Sequence, residues 1–436
     1  MNRDLNLLFA SRALRSLSQG YMAVVLPLYV VALGYSAIDL GMIAAVNSLA
    51  NALVALAVGV LADRFGRKLF MVLISLMMAL SGALFCLSHA LGMIVVAASL
   101  GTYGGGGGAG RGGAWGPLYP AAQALIAEHA SPLQRTRIFG QLSFVGVLAS
   151  AAGSLTAYLP QFLHRTAGYT LLEGYDVLFI LTAIVGVAMA LVVLPVSDTS
   201  AQSDPPHRLH SLTPGDGGKP RAQRYTFGMS AQTWRIVGRF MTTNLVNGVA
   251  LGMISPFLVL WFHRRYGVGA GEIGSLFFVI NLMSAVPFLM AGRMAHAFGS
   301  VRTVVGTRII GSVLLLLMAL MPSFWLASII YALRTICNTL AAPVRQSYLM
   351  GVIEPSQRAG AAGFANSPAQ VGTSISPFLA GYLMEHVWLG FPLAGGAAFQ
   401  LINGALYWLF FRNLRPPEEI EDAEPGPAPQ TQASPS

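Results

Sequence analysis

Long apolar stretches recur along the whole chain and restrict it to one kind of fold. A helix needs about 20 apolar residues to cross the hydrocarbon core of a bilayer. The chain has twelve stretches of roughly this kind, at approximately 8–33, 39–61, 69–88, 91–127, 138–160, 176–195, 236–262, 273–295, 302–321, 323–350, 360–385 and 390–411. The sequence therefore predicts an all-α membrane protein with twelve transmembrane helices.

The charge content agrees with a chain that is surrounded by lipid. Only 10% of the 436 residues are charged, whereas 55% are hydrophobic, and the mean hydropathy is +0.62. A soluble domain contains about 25% charged residues. The low charge content indicates that most of the surface faces lipid.

The net charge of +9 is better explained by membrane topology than by nucleic-acid binding. Basic residues concentrate in the cytoplasmic connections of membrane proteins. The connections on one side contain Arg64, Arg67, Lys68, Arg135, Arg137, Arg302, Arg358, Arg412 and Arg415. We therefore expect a multi-pass protein of the inner, or cytoplasmic, membrane, with both termini in the cytoplasm and no nucleic-acid partner.

The two halves of the chain repeat each other. At an offset of 233 residues the matches include Gly34 with Gly267, Gly41 with Gly274, Val46 with Val279 and Leu49 with Leu282. Further on the offset is 223, and the matches include Arg111 with Arg334, Pro120 with Pro343, Gln123 with Gln346 and Gly140 with Gly363. Such a parallel repeat predicts two pseudo-symmetric six-helix bundles with a substrate site between them.

The repeat and the composition divide the chain into four parts. We expect an N-terminal bundle at 1–196 and a C-terminal bundle at 233–412. Residues 197–232 are rich in Ser, Pro, Gly and basic residues, which predicts a flexible cytoplasmic linker. Residues 413–436 are rich in Pro, Glu and Gln, which predicts a disordered cytoplasmic tail.

One motif points to a family. Between the second and third apolar stretches the chain reads GVLADRFGRK from Gly59 to Lys68. A worn copy in the second half keeps Gly292, Ala295, Phe298 and Gly299. The motif resembles the signature loop between transmembrane helices 2 and 3 of the major facilitator superfamily. The resemblance implies a secondary active transporter that moves a small solute by alternating access.

The same motif predicts a gate. Asp63 is an anion at a helix end, where it can meet the positive N-terminus of a helix from the other half. The basic residues of the motif can pair with carboxylates, of which Glu128 is the obvious one. The resemblance implies that this cluster locks the cytoplasmic side when the transporter faces outward. The predicted gating residues are Gly59, Asp63, Arg64, Gly66, Arg67 and Glu128.

The ionisable residues expected inside the membrane are basic rather than acidic. Arg111 and Arg334 occupy corresponding places in the two halves, and none of the acidic residues lies plainly in the middle of an apolar stretch. Arginine stays protonated and can hold both oxygens of a carboxylate or phosphate. We therefore predict a small organic anion as the substrate. The predicted substrate-binding residues are Arg111, Arg334, Gln123, Tyr119, Gln19, Asn244 and Asn338.

Two other functions stay open. The first is proton-linked efflux of drugs or metabolites, because drug antiporters of the superfamily have an arginine in helix 4. In those antiporters a glycine follows four residues later, whereas this chain has Trp115 there. The second is a receptor or assembly factor that keeps the fold without transporting. An enzyme is not expected, since the sequence has neither clustered metal ligands nor a nucleophile elbow.

The remaining expectations concern details. The glycine-rich stretch Gly101–Gly116 is interpreted as a helix-packing segment, a loop or a break in the fourth helix. Arg12 and Arg15 are interpreted as anchors near the cytoplasmic end of the first helix. We expect a monomer in a lipid bilayer with a small-molecule substrate, protons or another ion as the coupling ion, and no cofactor or metal.

Overall fold

The computed structural model of the chain describes residues 3–103, 132–196, 230–284, 294, 297–353 and 357–414. At 59–60, 62–64, 132–137, 139, 358–360 and 362 it describes the backbone alone. The part of the chain so described is helical throughout and contains no strand. The prediction of an all-α fold is confirmed.

Fourteen helices occur in the described residues. Those of the N-terminal half are α1 (Arg3–Ala32), α2 (Ala37–Phe65), α3 (Arg67–Leu87), α4 (Leu91–Gly101), α5 (Pro132–Thr156), α6 (Leu159–Ala167) and α7 (Leu171–Val193). Those of the C-terminal half are α8 (Ala231–Ile254), α9 (Phe257–Tyr266), α10 (Ala270–Met283), α11 (Ser300–Ala319), α12 (Phe324–Gly351), α13 (Arg358–His386) and α14 (Phe391–Phe411).

The fourteen helices correspond to the twelve predicted stretches, because two of the stretches are each covered by a pair of helices. The pair α5 and α6 covers the fifth stretch and extends beyond it, and so does the pair α8 and α9, separated at Ser255 and Pro256, for the seventh. Within the described residues, eight helical spans are long and apolar enough to cross a membrane, and α4 and α10 are shorter apolar helices. The twelve-helix prediction is confirmed.

Polar side chains start several helices where the sequence changes from connection to apolar run. Thr170 accepts a hydrogen bond from the backbone of Glu173, and the Glu173 carboxylate accepts one in return, which caps α7. Ser230 caps α8 by accepting a hydrogen bond from the backbone nitrogen of Thr233. Since α8 begins at Ala231, the chain is already ordered before the predicted end of the linker at residue 232. The other proposed domain boundaries remain predictions.

The two halves meet where helices of opposite halves cross closely. In one crossing α2 lies on α13, so that a Cβ on Gly41 would lie 2.5 Å from the carbonyl oxygen of Pro377. In the other crossing α10 lies on α5, and a Cβ on Gly274 would collide with the carbonyl oxygen of Ser154. Close crossings of this kind require glycine.

The two crossings are related by the sequence repeat. Gly41 and Gly274 differ by the offset of 233, and Ser154 and Pro377 differ by the offset of 223. Gly41 therefore contacts Pro377, and its counterpart Gly274 contacts Ser154, which is the counterpart of Pro377. The pseudo-symmetry predicted from the sequence extends to the contact between the halves.

Candidate functional site

Several predicted site residues lie outside the part of the chain that can be described. Arg111, Tyr119, Gln123 and Glu128 belong to this group. Gly59, Asp63 and Arg64 are described by their backbone alone, and all three belong to α2. The structure describes the side chains of the other predicted binding residues, which are Gln19, Asn244, Arg334 and Asn338.

Arg15 on α1 is buried. This differs from our expectation of an anchor at the membrane interface. Its side chain is 1% exposed. Its Nη2 donates a hydrogen bond to Thr102 Oγ1 at 2.7 Å and lies 3.5 Å from the Thr102 carbonyl oxygen. Because α4 ends at Gly101, the positive guanidinium caps the C-terminal end of that helix, where the helix dipole is negative.

The end of α4 coincides with the start of the glycine-rich stretch. Thr102 has a left-handed backbone with φ of +47°, which is the one positive φ at a non-glycine residue in the described chain. Residues 104–116 of the stretch lie outside the described residues. At Gly101, the structure favours a helix end over a continuous packing segment.

Gln19 lies one helical turn beyond Arg15. Both its amide oxygen and its amide nitrogen are buried and have no hydrogen-bond partner. On the neighbouring α2, Asn51 donates to Asn47 at 3.2 Å, and Asn47 donates to the carbonyl oxygen of Tyr103. Polar side chains of α1 and α2 therefore gather around the end of α4.

A cleft opens beside this group. It contains about 480 Å³ of space not filled by protein atoms, open solvent included. Its walls are formed by Met22, Ala23, Leu26, Pro27, Leu40, Ile43, Ala44, Asn47, Tyr103, Ser255 and Pro256. Ser255 and Pro256 belong to the break between α8 and α9, so the cleft lies between the halves. Its lining is mostly apolar.

In the C-terminal half, Arg334 is buried at 5% exposure. The guanidinium carbon lies 5.7 Å from the centre of the Tyr331 ring, within the range of a cation–π contact. Its Nε has no hydrogen-bond partner, and no described carboxylate lies within ion-pair distance of it. The predicted role in anion binding is therefore compatible with this environment.

Asn338 is engaged by a residue that the sequence analysis missed. Arg308 on α11 is 5% exposed, and its Nη1 donates to Asn338 Oδ1 at 3.0 Å. A Cβ on Gly404 would lie 3.4 Å from Arg308, so α14 also packs against this pair. Arg308 lies inside the predicted apolar stretch 302–321. A charged residue within such a stretch is a signal that the sequence already contains.

Asn244 also has a partner within the bundle. Its Nδ2 donates to the carbonyl oxygen of Ala365 at 2.7 Å, on the turn of α13 that precedes Pro368. The hydrogen bond therefore gives Asn244 a structural role in joining α8 to α13.

The predicted binding residues that the structure describes are not in direct contact with one another. Gln19, Asn244 and Arg334 lie on α1, α8 and α12. Between described residues, no hydrogen bond joins any two of them. If they act on one substrate, they do so from separate walls of a cavity.

The motif around Gly66 differs from the predicted loop. Residues Gly59 to Phe65 continue α2, and α3 starts at Arg67, so that only Gly66 separates the two helices. Gly66 has φ of +93°, and its repeat counterpart Gly299 has φ of +80° ahead of α11. Gly66 therefore makes a tight turn between the two helices, and Gly299 in the copy has a similar backbone conformation.

The described contacts close the opposite end of the protein, which we call the closed end: the first turns of α2, α6 and α10 with the last turns of α9 and α13. Glu385 Oε2 accepts hydrogen bonds from Arg264 Nη1 at 3.0 Å and from the backbone nitrogen of Ala37 at 3.1 Å. Gln161 Oε1 accepts one from the backbone nitrogen of Gly271 at 3.1 Å.

These two contacts again follow the repeat. Gln161 and Glu385 are 224 residues apart, within one residue of the offset found for this part of the chain. Each side chain caps the first turn of a helix in the other half, where backbone N–H groups lack partners within the helix. The sequence analysis missed this pair, although a pair of polar residues at the repeat offset is a readable signal.

Comparison with known proteins agrees with this architecture. The sequence model described as Major Facilitator Superfamily matches residues 8–242 and again residues 240–435. The chain belongs to the Major Facilitator Superfamily. Members of this superfamily are transporters rather than enzymes, and its fold of two six-helix bundles accounts for the repeat.

Relatives within the superfamily cover almost the whole chain. An uncharacterized membrane protein of Saccharomyces cerevisiae, YJR124C, is 24% identical over 415 residues, which are 90% of this chain and 91% of that protein. Multidrug resistance protein MdtG of Proteus mirabilis is 23% identical over 400 residues, covering 89% and 90%. A variant of the nucleoside transporter NupG has a similar structure, with a TM-score of 0.70 and 12% identity over 94% of this chain and all of that one.

The superfamily assignment supports secondary transport of a small molecule through a multi-pass membrane protein. It agrees with the motif from Gly59 to Lys68, on which the resemblance was based. It does not select a substrate, because the similar proteins include one named for multidrug resistance and one named for nucleoside transport.

Proposed function

We propose that this chain is a secondary active transporter of a small amphipathic organic anion. The observation that carries the proposal is a buried arginine in each half, Arg15 and Arg334, with no described carboxylate as partner. An isolated charge in a protein interior costs several kcal/mol unless it is paired. An anionic substrate would supply the missing partner during transport.

The apolar lining of the cleft supports the amphipathic character of the substrate. Met22, Leu26 and Ile43 line it near the polar group at the end of α4. Ligand sites typically combine an apolar wall with a few polar groups that fix orientation. A substrate with an apolar body and one anionic group suits such a wall.

The closed end supports alternating access. The connection between α1 and α2 and the basic residue Arg264 belong to this end. If the strongly basic connections face the cytoplasm, the closed end faces outward and the described conformation is inward-facing. The protein would lie in the inner membrane as a monomer with both termini in the cytoplasm, and protons or another ion would couple transport.

A second candidate function is proton-linked efflux of drugs or metabolites. The relatives named multidrug resistance protein MdtG favour it, and the mostly apolar cleft suits uncharged or cationic drugs as well. The substrate would then be a drug or metabolite and not an organic anion. Arg111 would take part in proton coupling and not in substrate binding. A receptor without transport would keep the closed end fixed under all ligands.

A thermal-shift screen separates these functions. The purified full-length protein is tested against organic anions, lipophilic cations and neutral sugars, with Arg111→Ala and Arg334→Ala as companions. A ligand at one hundred times its Kd stabilises the folded state by about 2.7 kcal/mol. Stabilisation by anions that is lost in either variant supports the proposal. Stabilisation by lipophilic cations that both variants retain contradicts it and favours drug efflux.

A further inference from the structure

We propose that the anionic group of the substrate binds to Arg15 at the broken end of α4, with Gln19 as a second polar contact. This inference rests on the proposed transport of an organic anion and adds a defined binding site in the N-terminal half. It concerns a residue that the sequence had led us to interpret as an interfacial anchor.

The first argument is the number of donors that Arg15 leaves unused. A guanidinium has five N–H donors. Thr102 accounts for Nη2, whereas Nε and Nη1 are buried and have no partner. A cap on α4 needs only the contact with Thr102, so the capping role does not explain the other donors. A carboxylate is the ligand that an arginine with free donors binds best.

The second argument is the neighbour on α1. The amide of Gln19 is buried with both its oxygen and its nitrogen unpaired, one turn from Arg15. Buried polar groups in native structures nearly always have partners, and an exception calls for an explanation. The unused donors of Arg15 and the amide nitrogen of Gln19 lie one turn apart on one helix and suggest one shared ligand with oxygen acceptors.

The third argument is the position of the pair relative to the cleft. Arg15, Gln19, Met22 and Leu26 follow the spacing i, i+4, i+7 and i+11, which places them along one face of α1. Met22 and Leu26 line the cleft, and so does Tyr103, the residue after Thr102. The polar pair therefore lies on the same face of α1 as Met22 and Leu26, one to three turns from these cleft-lining residues and outside the lining itself. A ligand that rests its body on Met22 and Leu26 would direct its anionic group toward Arg15.

The test compares a carboxylate with its neutral amide. Binding of naphthoate and naphthamide to the full-length protein in lipid nanodiscs is measured for the wild type, Arg15→Gln, Arg15→Lys and Thr102→Val. Thr102→Val is the matched control, because it removes the hydroxyl that accepts the 2.7 Å hydrogen bond from Arg15 but keeps the charge. We expect the wild type to prefer naphthoate, and Arg15→Gln to lose about ten-fold or more in naphthoate affinity with naphthamide affinity unchanged.

The other variants complete the expected pattern. Arg15→Lys keeps part of the preference because it keeps the charge, and Thr102→Val keeps all of it. Retention of the naphthoate preference in Arg15→Gln overturns the inference and leaves the proposed function standing. An equal loss for both ligands in Arg15→Gln and Thr102→Val also overturns it, since Arg15 would then only cap α4.

A failure of the proposed function looks different. In that case the wild type itself shows no preference for naphthoate over naphthamide. Should Arg15→Gln not fold, Gln19→Leu serves as the second variant, because it leaves both Arg15 and its bond to Thr102 in place. We expect it to lower naphthoate affinity several-fold, and unchanged affinity would contradict the two-residue site.

Discussion

Glu385 Oε2 lies 3.1 Å from the backbone nitrogen of Ala37, so a carboxylate of the C-terminal half caps a helix of the N-terminal half. The same oxygen accepts a hydrogen bond from Arg264. Gln161 forms the pseudo-symmetric contact with Gly271 from the opposite half. Alternating access requires that both contacts break when the closed end opens.

Replacement of Glu385 by alanine should therefore favour opening of the closed end. The ion pair with Arg264 is about one-third exposed and contributes little, about 0–1 kcal/mol. The loss of a helix cap adds about 0.5–2 kcal/mol. A net change near 1 kcal/mol would shift the ratio of open to closed forms about five-fold. Pulsed EPR distances between spin labels at Ser36 and Val387 report this ratio, after Cys86 and Cys337 are replaced by serine.

Glu173→Ala is the matched control for that experiment. Glu173 also caps a helix, but it caps α7 within its own half through Thr170. The label distances should therefore remain those of the wild type. An equal shift in both variants would show that lost helix capping, and not the contact between the halves, changes the distances.

A methyl group at Gly274 should prevent the halves from closing. The Cβ would meet the backbone carbonyl of Ser154, which cannot rotate away as a side chain could. Gly274→Ala is expected to lose most transport and to show the longer label distance at the closed end. Gly238→Ala on α8 is the control, because a Cβ there meets no atom within 4 Å. Transport should remain, with stability raised by about 0.4–1 kcal/mol. Normal transport by Gly274→Ala would contradict the close crossing of α10 and α5.

Gly66 and Gly299 should respond alike to replacement by alanine. Both have backbone angles that side chains adopt with strain, at φ of +93° and +80°. Such strain costs about 1–3 kcal/mol, so thermal unfolding of both variants should occur at lower temperature than in the wild type. Gly306→Ala, in open space on α11, provides the comparison. If the unfolding temperature fell in Gly66→Ala alone, the turn at Gly299 would not require glycine.

Asn244 should affect stability rather than substrate affinity. Asn244→Ala removes the hydrogen bond from Asn244 to the Ala365 carbonyl, and a hydrogen bond contributes about 0.5–1.5 kcal/mol. Thermal unfolding should register this loss, while the Kd of a bound anion should change less than in Arg334→Ala. A large loss of affinity with unchanged stability would restore Asn244 to the binding site that the sequence predicted.

The architecture was readable because repeats and hydrophobic length act over many residues. The offsets of 233 and 223 identified counterparts that the structure uses in pairs, as Gly41 with Gly274 and Ser154 with Pro377. Helix ends were less predictable. The motif predicted a loop from Gly59, yet α2 continues to Phe65, because Leu61 and Ala62 favour helix and the helix is interrupted only at Gly66.

The polar contacts of individual residues could not be predicted from the sequence. Whether an arginine near a helix end reaches the interface or turns inward depends on what lies across from it. For Arg15 the partner is Thr102, 87 residues away and in a left-handed conformation that no pattern announced. Asn338 looked free in the sequence, but it accepts a hydrogen bond from Arg308 on the neighbouring helix.

Exchange transport in proteoliposomes tests the central claim most directly. The purified protein is reconstituted, the vesicles are loaded with unlabelled naphthalenesulfonate, and uptake of the labelled sulfonate is followed. This anion keeps its charge at all relevant pH values. The account predicts accumulation of the label that naphthoate inhibits and that Gly274→Ala abolishes. Exchange of a lipophilic ammonium compound, with no uptake of the sulfonate, would contradict the account.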